Sequence, residues 1–172
     1  MNNKALIVVD LQNDYFPEGK FPLWNTEQTL INVKAAIKQA NLKNIPVIHV
    51  QHIADPANGI APFFNQGSLG ADIHAEILAL APNADVVTKQ FADGFEQTNL
   101  EEVLQQQNID ELLICGMMTQ NCVTHTAISP AASKYSVSVL VDCCTTVDEM
   151  IHNIALHAIS HRVSLVPAEQ AL

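Results

Sequence analysis

The sequence predicts an α/β fold: a three-layer, doubly wound domain around a six-stranded, mainly parallel sheet. Three observations carry the prediction. Six short apolar runs are spread along the chain, and most are apolar nearly throughout, as strands covered on both faces are. Segments with helical period lie between them. No repeat or low-complexity linker interrupts the alternation, so the 172 residues read as a single domain, 1–172, with room for a sizeable core.

In order, the predicted strands are ALIVVDL (5–11), PVIHV (46–50), DVVT (85–88), ELLIC (111–115), VSVLVD (137–142) and VSLV (163–166). Leu30, Val33, Ile37 and Ala40 mark a helix before the second strand. Thr98 followed by Glu101 has the capping-box pattern and starts another helix, carrying Leu100, Val103 and Leu104. Ile151, Ile154, Ala155, Ala158 and Ile159 mark a helix before the last strand. Right-handed crossovers are expected, and the expected sheet order is 3-2-1-4-5-6. Two irregular segments, YFPEGKFPLW (15–24) and HIADPANGIAPFFNQGSLGAD (52–72), leave the first and second strands at their carboxyl ends, where such sheets bind ligands. Long loops inside a compact domain are usually functional. Their aromatic residues Phe16, Trp24, Phe63 and Phe64 are therefore candidate substrate contacts.

Composition narrows the function. The chain is 48% hydrophobic and 15% charged, which excludes disorder. Eight Lys and Arg stand against eighteen Asp and Glu, a formal net charge of −10, and no basic stripe offers a nucleic-acid surface. The apolar run in MNNKALIVVD is too short for a membrane span and has no small-residue cleavage site, so a cytoplasmic location without membrane association is expected. Cys115, Cys122, Cys143 and Cys144 form neither a disulfide framework nor the paired CxxC spacing of structural zinc. No GxGxxG or P-loop occurs, so no cofactor is expected.

Three residues stand out together. Asp10 closes the first strand run, Lys89 follows the third, and Cys122 sits just inside the helix expected after the fourth. Singly, each has an ordinary reading: a turn cap, a solvated lysine, a buried structural thiol. Jointly they gather at strand carboxyl ends as a nucleophilic set. A thiol attacks as its thiolate, which a helix N-terminus and an ammonium favour, and a carboxylate can take its proton.

The stretches VVDLQNDYF (8–16), Lys89 followed by FxxT (Phe95 to Thr98), and CGMMTQNCVTHTA (115–127) resemble the isochorismatase-like cysteine hydrolases, in that family's order and spacing over nearly the whole chain. The resemblance implies a catalytic triad of Asp10, Lys89 and Cys122. It also implies an oxyanion hole from the backbone N–H groups of Met118 and Cys122, a cis peptide between Met117 and Met118, and a homo-oligomer, dimer or tetramer. Nicotinamidases of the family carry an Asp-x-His zinc pair after the second strand; HVQHIAD places His52 and Ala54 at those positions, so no metal is expected. Members cleaving the isochorismate vinyl ether usually lack the cysteine, so Cys122 points to C–N hydrolysis. Ser129-Pro130 and Cys143 replace the common Asp-Ala and Ala, which reads as local repacking.

The expected function is hydrolysis of a small-molecule amide or related C–N bond through a thioester on Cys122. The alternatives are vinyl-ether hydrolysis with Cys122 a bystander, and a non-catalytic binding or scaffold domain. Cys115 reads as packing at a strand end, and Cys143 and Cys144 as structural residues after the fifth strand, one of them able to border the pocket. His157 and His161, at i, i+4 without an HExxH glutamate, read as a solvated or interface face. His52 and Gln12 are further candidate substrate contacts, because each follows a strand end.

Overall fold

The structure, a computed structural model, describes residues 3–172. Six parallel strands form one sheet in the order β3-β2-β1-β4-β5-β6. They are β1 (Lys4–Val9), β2 (Val47–His52), β3 (Asp85–Lys89), β4 (Glu111–Met117), β5 (Ser136–Thr145) and β6 (Ser164–Val166). This is the predicted order. Central β1 and β4 are deeply buried, with Ala5 to Val9 at most 1% exposed and Leu112 to Cys115 at 0%. Edge strands β3 and β6 are short and partly exposed, which limits pairing with other chains.

The helices are α1 (Thr26–Leu42), α2 (Ala75–Leu80), α3 (Leu100–Gln106), α4 (Thr124–Ala127), α5 (Glu149–Ile159) and α6 (Ala168–Ala171). Helix α1 contacts α2 and α6, α4 contacts α5, and the two groups cover the two sides of the sheet. None of the helices among the described residues is long and apolar enough to cross a membrane.

Several elements depart from the sequence reading. Asn99, not Thr98, is the N-cap of α3. The Thr98 hydroxyl donates to the Gly94 carbonyl at 2.6 Å, and Glu101 accepts from Lys134, Gln105 and Tyr135, so no reciprocal box forms. Helix α5 is capped by Asp148, whose carboxylate accepts from the Ile151 N–H at 2.8 Å. It buries His152, Ala155 and Ile159 and leaves Ile154 61% exposed, because it packs beside α4 along one narrow seam. Strand β4 runs on to Met117, so Cys115 lies inside it and not at its end. Strand β5 runs to Thr145 through a register shift opposite Ile114 and Gly116, which puts Cys143 and Cys144 inside the strand and buries both.

Residues Gln12 to Asp14 pin both long loops. The Asp14 carboxylate accepts from the N–H groups of Lys20 at 3.1 Å and Phe64 at 2.8 Å, one in each loop. Asn13 donates to the Leu69 carbonyl, and Gln12 donates to the carbonyls of His52 and Ala71.

One polar residue of the core takes no part in this network. His49 of β2 is 1% exposed, and neither ring nitrogen has a well-formed hydrogen bond. Burial lowers its pKa, partly offset by the Ala81 carbonyl. Its folded-state pKa therefore lies below the unfolded value of about 6.5, so acid favours the unfolded chain, which binds the proton the core refuses. Stability is expected to fall below about pH 6.5, with this one histidine supplying up to about 1.4 kcal/mol per pH unit. Urea unfolding of the wild type and His49→Leu between neutral and mildly acidic pH checks it. An unchanged acid slope in the variant would refute the assignment.

Candidate functional site

Four neighbouring strands end on one side of the sheet, and each delivers one side chain to a common point. Asp10 is the first residue beyond β1. Its left-handed backbone (φ 51°) turns the chain off the strand, and its N–H still bonds the Val50 carbonyl of β2. His52 and Lys89 are the paired last residues of β2 and β3. Cys122 lies in a π turn, Thr119–Val123, that follows β4 and leads into α4. The β1–β4 boundary is the point where the strand order reverses, the expected place for a ligand crevice.

The Lys89 ammonium is the centre of the group. Its Nζ lies 3.0 Å from Asp10 Oδ2, 2.9 Å from His52 Nδ1, 3.0 Å from the Phe91 carbonyl and 3.1 Å from Cys122 Sγ. The side chains of Lys89 and Asp10 are wholly buried, and Cys122 is 2% exposed. Asp10 Oδ1 has no hydrogen-bond partner. Among the described residues, Asp10, His52 and Cys122 are the one group able to gather around a metal, with ligand atoms within 4.8 Å of one another. The Lys89 ammonium already stands in contact with all three, so the cation of this cluster is the protein's own.

Electrostatics set the resting protonation. Burial pulls the Lys89 pKa down, but Asp10 and Cys122 more than offset it, so the ammonium persists. Burial pushes the Cys122 thiol well up, Asp10 adds to the shift, and Lys89 opposes it without reversing it. The resting sulfur is therefore a thiol. This revises the expectation that the helix terminus and the ammonium favour the thiolate: desolvation outweighs them, and Cys122 occupies a π turn ahead of a four-residue helix.

The peptide Met117–Met118 is cis, as the resemblance implies. None of the backbone hydrogen bonds among the described residues uses the Met118 N–H. Gly116 makes the local geometry possible. Its φ is +126°, and a Cβ there would meet the Val9 carbonyl oxygen at 1.9 Å, directly beneath Asp10.

The aromatic residues divide. Phe64 is 1% exposed and packs edge-on against Tyr15, ring centroids 4.6 Å apart, with Phe63 and Phe21 completing the cluster. Phe16 turns the other way, onto His74 at 4.5 Å. Trp24 is tied through its backbone to Thr145 and Thr146, and its ring lies 6.2 Å from His152. Gln12 is fully buried, with its amide engaged by His52 and Ala71. Sequence reasoning missed Tyr15. It is buried, and that burial first, then the negative charge of Asp10 and Cys122, raises its pKa. A cleft of about 410 Å³ at the end of β3 is lined by Ile53, Pro56, Gln66, Thr88, Gln90, Phe91 and Gln97, and none of Asp10, His52, Lys89 or Cys122 lines it.

Comparison with known proteins agrees with this geometry. Residues 4–169 match the model of the isochorismatase domain. The uncharacterised isochorismatase-family protein YddQ of Bacillus subtilis strain 168 is 34% identical over 165 residues, covering 96% of this chain and 84% of that protein. Streptothricin hydrolase of Streptomyces noursei is 28% identical, covering 84% of this chain and 55% of that one. The crystal structure of an isochorismatase hydrolase from Oleispira antarctica superposes with a TM-score of 0.88 at 31% identity, covering 99% of this chain and 96% of that one.

A thiol held protonated by burial has a definite reactivity. Alkylation of Cys122 by iodoacetamide should be slow at neutral pH and still rising beyond about pH 9, past the usual thiol pKa. Mass spectrometry of the Cys122 peptide across a pH series measures it. A rate that levels off below about pH 8 would show a resting thiolate instead.

Proposed function

The chain belongs to the isochorismatase family of hydrolases, and within it we propose a cysteine hydrolase that cleaves a small amide or related C–N bond through a thioester on Cys122. The observation that carries this reading is the Lys89 ammonium, in contact at once with the Asp10 carboxylate and the Cys122 sulfur inside a buried site.

The steps follow from that contact. Asp10 takes the thiol proton as the sulfur bonds to the substrate carbonyl carbon. The N–H groups of Met118 and Cys122 receive the oxyanion, each such donor being worth ~3 kcal/mol in the transition state. Asp10 passes the proton to the leaving nitrogen, the C–N bond breaks, and an acyl group stays on Cys122. Asp10 then removes a proton from water as that water attacks the thioester. The S–C bond breaks, the acid leaves, and the proton returns to the sulfur. Lys89 holds Asp10 in place and supports whichever partner carries the negative charge.

A small substrate fits the aromatic cluster of Tyr15, Phe63 and Phe64, whose Phe64 ring lies 5.9 Å from that of His52. Gln12 acts at one remove, by fixing His52 and the 52–72 loop. The four free thiols fit a reducing, cytoplasmic setting. The exposed apolar residues Met150 and Ile154 of α5 fit a homo-oligomer, dimer or tetramer.

A screen of small amides, carbamoyl compounds and hydroxamates for ammonia or amine release tests the reaction. Cys122→Ala should lower turnover by at least about a thousandfold, in line with the loss of a nucleophile in related covalent schemes. Substrate trapped by acid quench should add an acyl mass to Cys122. Turnover that survives in Cys122→Ala would remove the covalent scheme and leave Cys122 a bystander.

A further inference from the structure

We propose that His52 is a neutral hydrogen-bond donor to the substrate, locked as its Nε2–H tautomer by Lys89, and that it selects amides bearing a hydrogen-bond acceptor on the atom next to the scissile carbonyl. The substrate preference rests on the amide-hydrolysis reading above; the tautomer does not.

An ammonium has hydrogens to give and no lone pair to offer. His52 Nδ1 lies 2.9 Å from Lys89 Nζ, so Nδ1 must be the acceptor. The imidazole is then neutral and its proton sits on Nε2. Burial and the facing Lys89 both disfavour a second proton on the ring, and Asp10 opposes them only in part. The backbone of His52 is fixed as firmly as its ring. Its N–H donates to Gln12 Oε1 at 2.8 Å, and its carbonyl accepts from Gln12 Nε2 at 2.7 Å. Gln12 is itself anchored on the Ala71 carbonyl. The ring leans towards Phe64, centroids 5.9 Å apart.

This leaves Nε2–H as the ring's open polar group, since no hydrogen bond among the described residues uses it and the residue is only half-buried. One His52 ring nitrogen lies within 4.8 Å of Cys122 Sγ, and the other nitrogen is one ring atom further round, so Nε2 stands at most that much beyond this reach. A carbonyl carbon poised for attack stands about 3–3.5 Å from the sulfur. An acceptor bonded to Nε2–H stands about 2.9 Å from that nitrogen. A substrate that bridges the sulfur and Nε2 carries its acceptor on the atom next to the carbonyl carbon, as in a 2-oxo amide or a carbamoyl amide. A cationic group there would find a donor hydrogen and the nearby Lys89 ammonium, so the selection is also against ammonium-bearing substrates.

Two substitutions separate the donor from the scaffold. His52→Asn keeps an acceptor near the Nδ1 position and has no donor at Nε2; His52→Gln places a donor near Nε2 and gives up the Nδ1 acceptor. Each is made in the Cys122→Ala protein, which binds without attack, and NMR titration compares pyruvamide with propionamide. With His52 retained, and again after His52→Gln, pyruvamide should bind about tenfold more tightly, the worth of one net hydrogen bond. After His52→Asn the preference should shrink to less than about twofold. Long-range proton–nitrogen correlation on the full chain should show His52 protonated at Nε2. A proton on Nδ1, a preference that survives His52→Asn, or equal or absent binding of both amides would overturn the proposal. If the preference stands but the protein with Cys122 intact hydrolyses neither amide, the reaction falls and the donor remains.

Discussion

The arrangement depends on a charged lysine buried in the protein interior. Lys89 starts from edge strand β3 and crosses the end of β2 to touch Asp10 beyond β1 and Cys122 beyond β4. One side chain thus ties together the carboxyl ends of four consecutive strands. A buried ammonium without partners would lose its proton or unfold its surroundings, and removal of one member of such a pair typically costs about 3–5 kcal/mol. Here three hydrogens face four acceptors, so the ammonium is more than satisfied, and the fourth acceptor is the sulfur that must later carry charge.

Bringing β1 and β4 close enough for that reach requires a residue without a side chain. Gly116 lies against the Val9 carbonyl with a positive φ that other residues rarely adopt. The register of β4 against β5 shifts at the same place, and the chain then enters the cis peptide and the π turn. Opposite it, Asp10 leaves β1 in a left-handed conformation. The cis peptide, the π turn and the left-handed Asp10 therefore fall on the two segments that carry the carboxylate and the sulfur.

The strands, and Asp10 and Lys89 at their ends, are legible in the sequence because each has a local signature: a continuous apolar run, or a polar residue closing one. Features set by tertiary packing are not. Periodicity locates α5, yet its buried seam runs through His152, and Ile154 faces out; no pattern within the helix says where its neighbour lies. The end of β5 is hidden because Cys143 and Cys144 follow an aspartate that looks like a strand terminus, whereas Asp142 in fact accepts from the N–H of Ala168 at the foot of α6. Hydrophobicity favours Phe16 over Tyr15 as a pocket residue, but it does not report which way a turn residue points. Gln12 looks like a pocket residue by position, but both ends of its amide are committed to the backbone of the 52–72 loop and the strand before it.

A protonated, buried thiol looks at first like a poor nucleophile, and the resolution lies in where the charge moves. The cluster at rest holds one positive and one negative charge, Lys89 and Asp10, beside a neutral imidazole and a thiol. Proton transfer from Cys122 to Asp10 leaves the same totals, because the thiolate takes the place of the carboxylate as the partner of Lys89. The two sites lie at nearly equal reach of the ammonium, 3.0 Å for the oxygen and 3.1 Å for the sulfur. No charge pair is separated and none is newly desolvated, so the burial that raises the thiol pKa against bulk water weighs far less on this internal transfer. In the proposed reaction the thiolate would then exist only while Asp10 holds its proton, next to the nitrogen that must receive it. A site built this way protects its sulfur from adventitious electrophiles in solution and still delivers it to a substrate that fits.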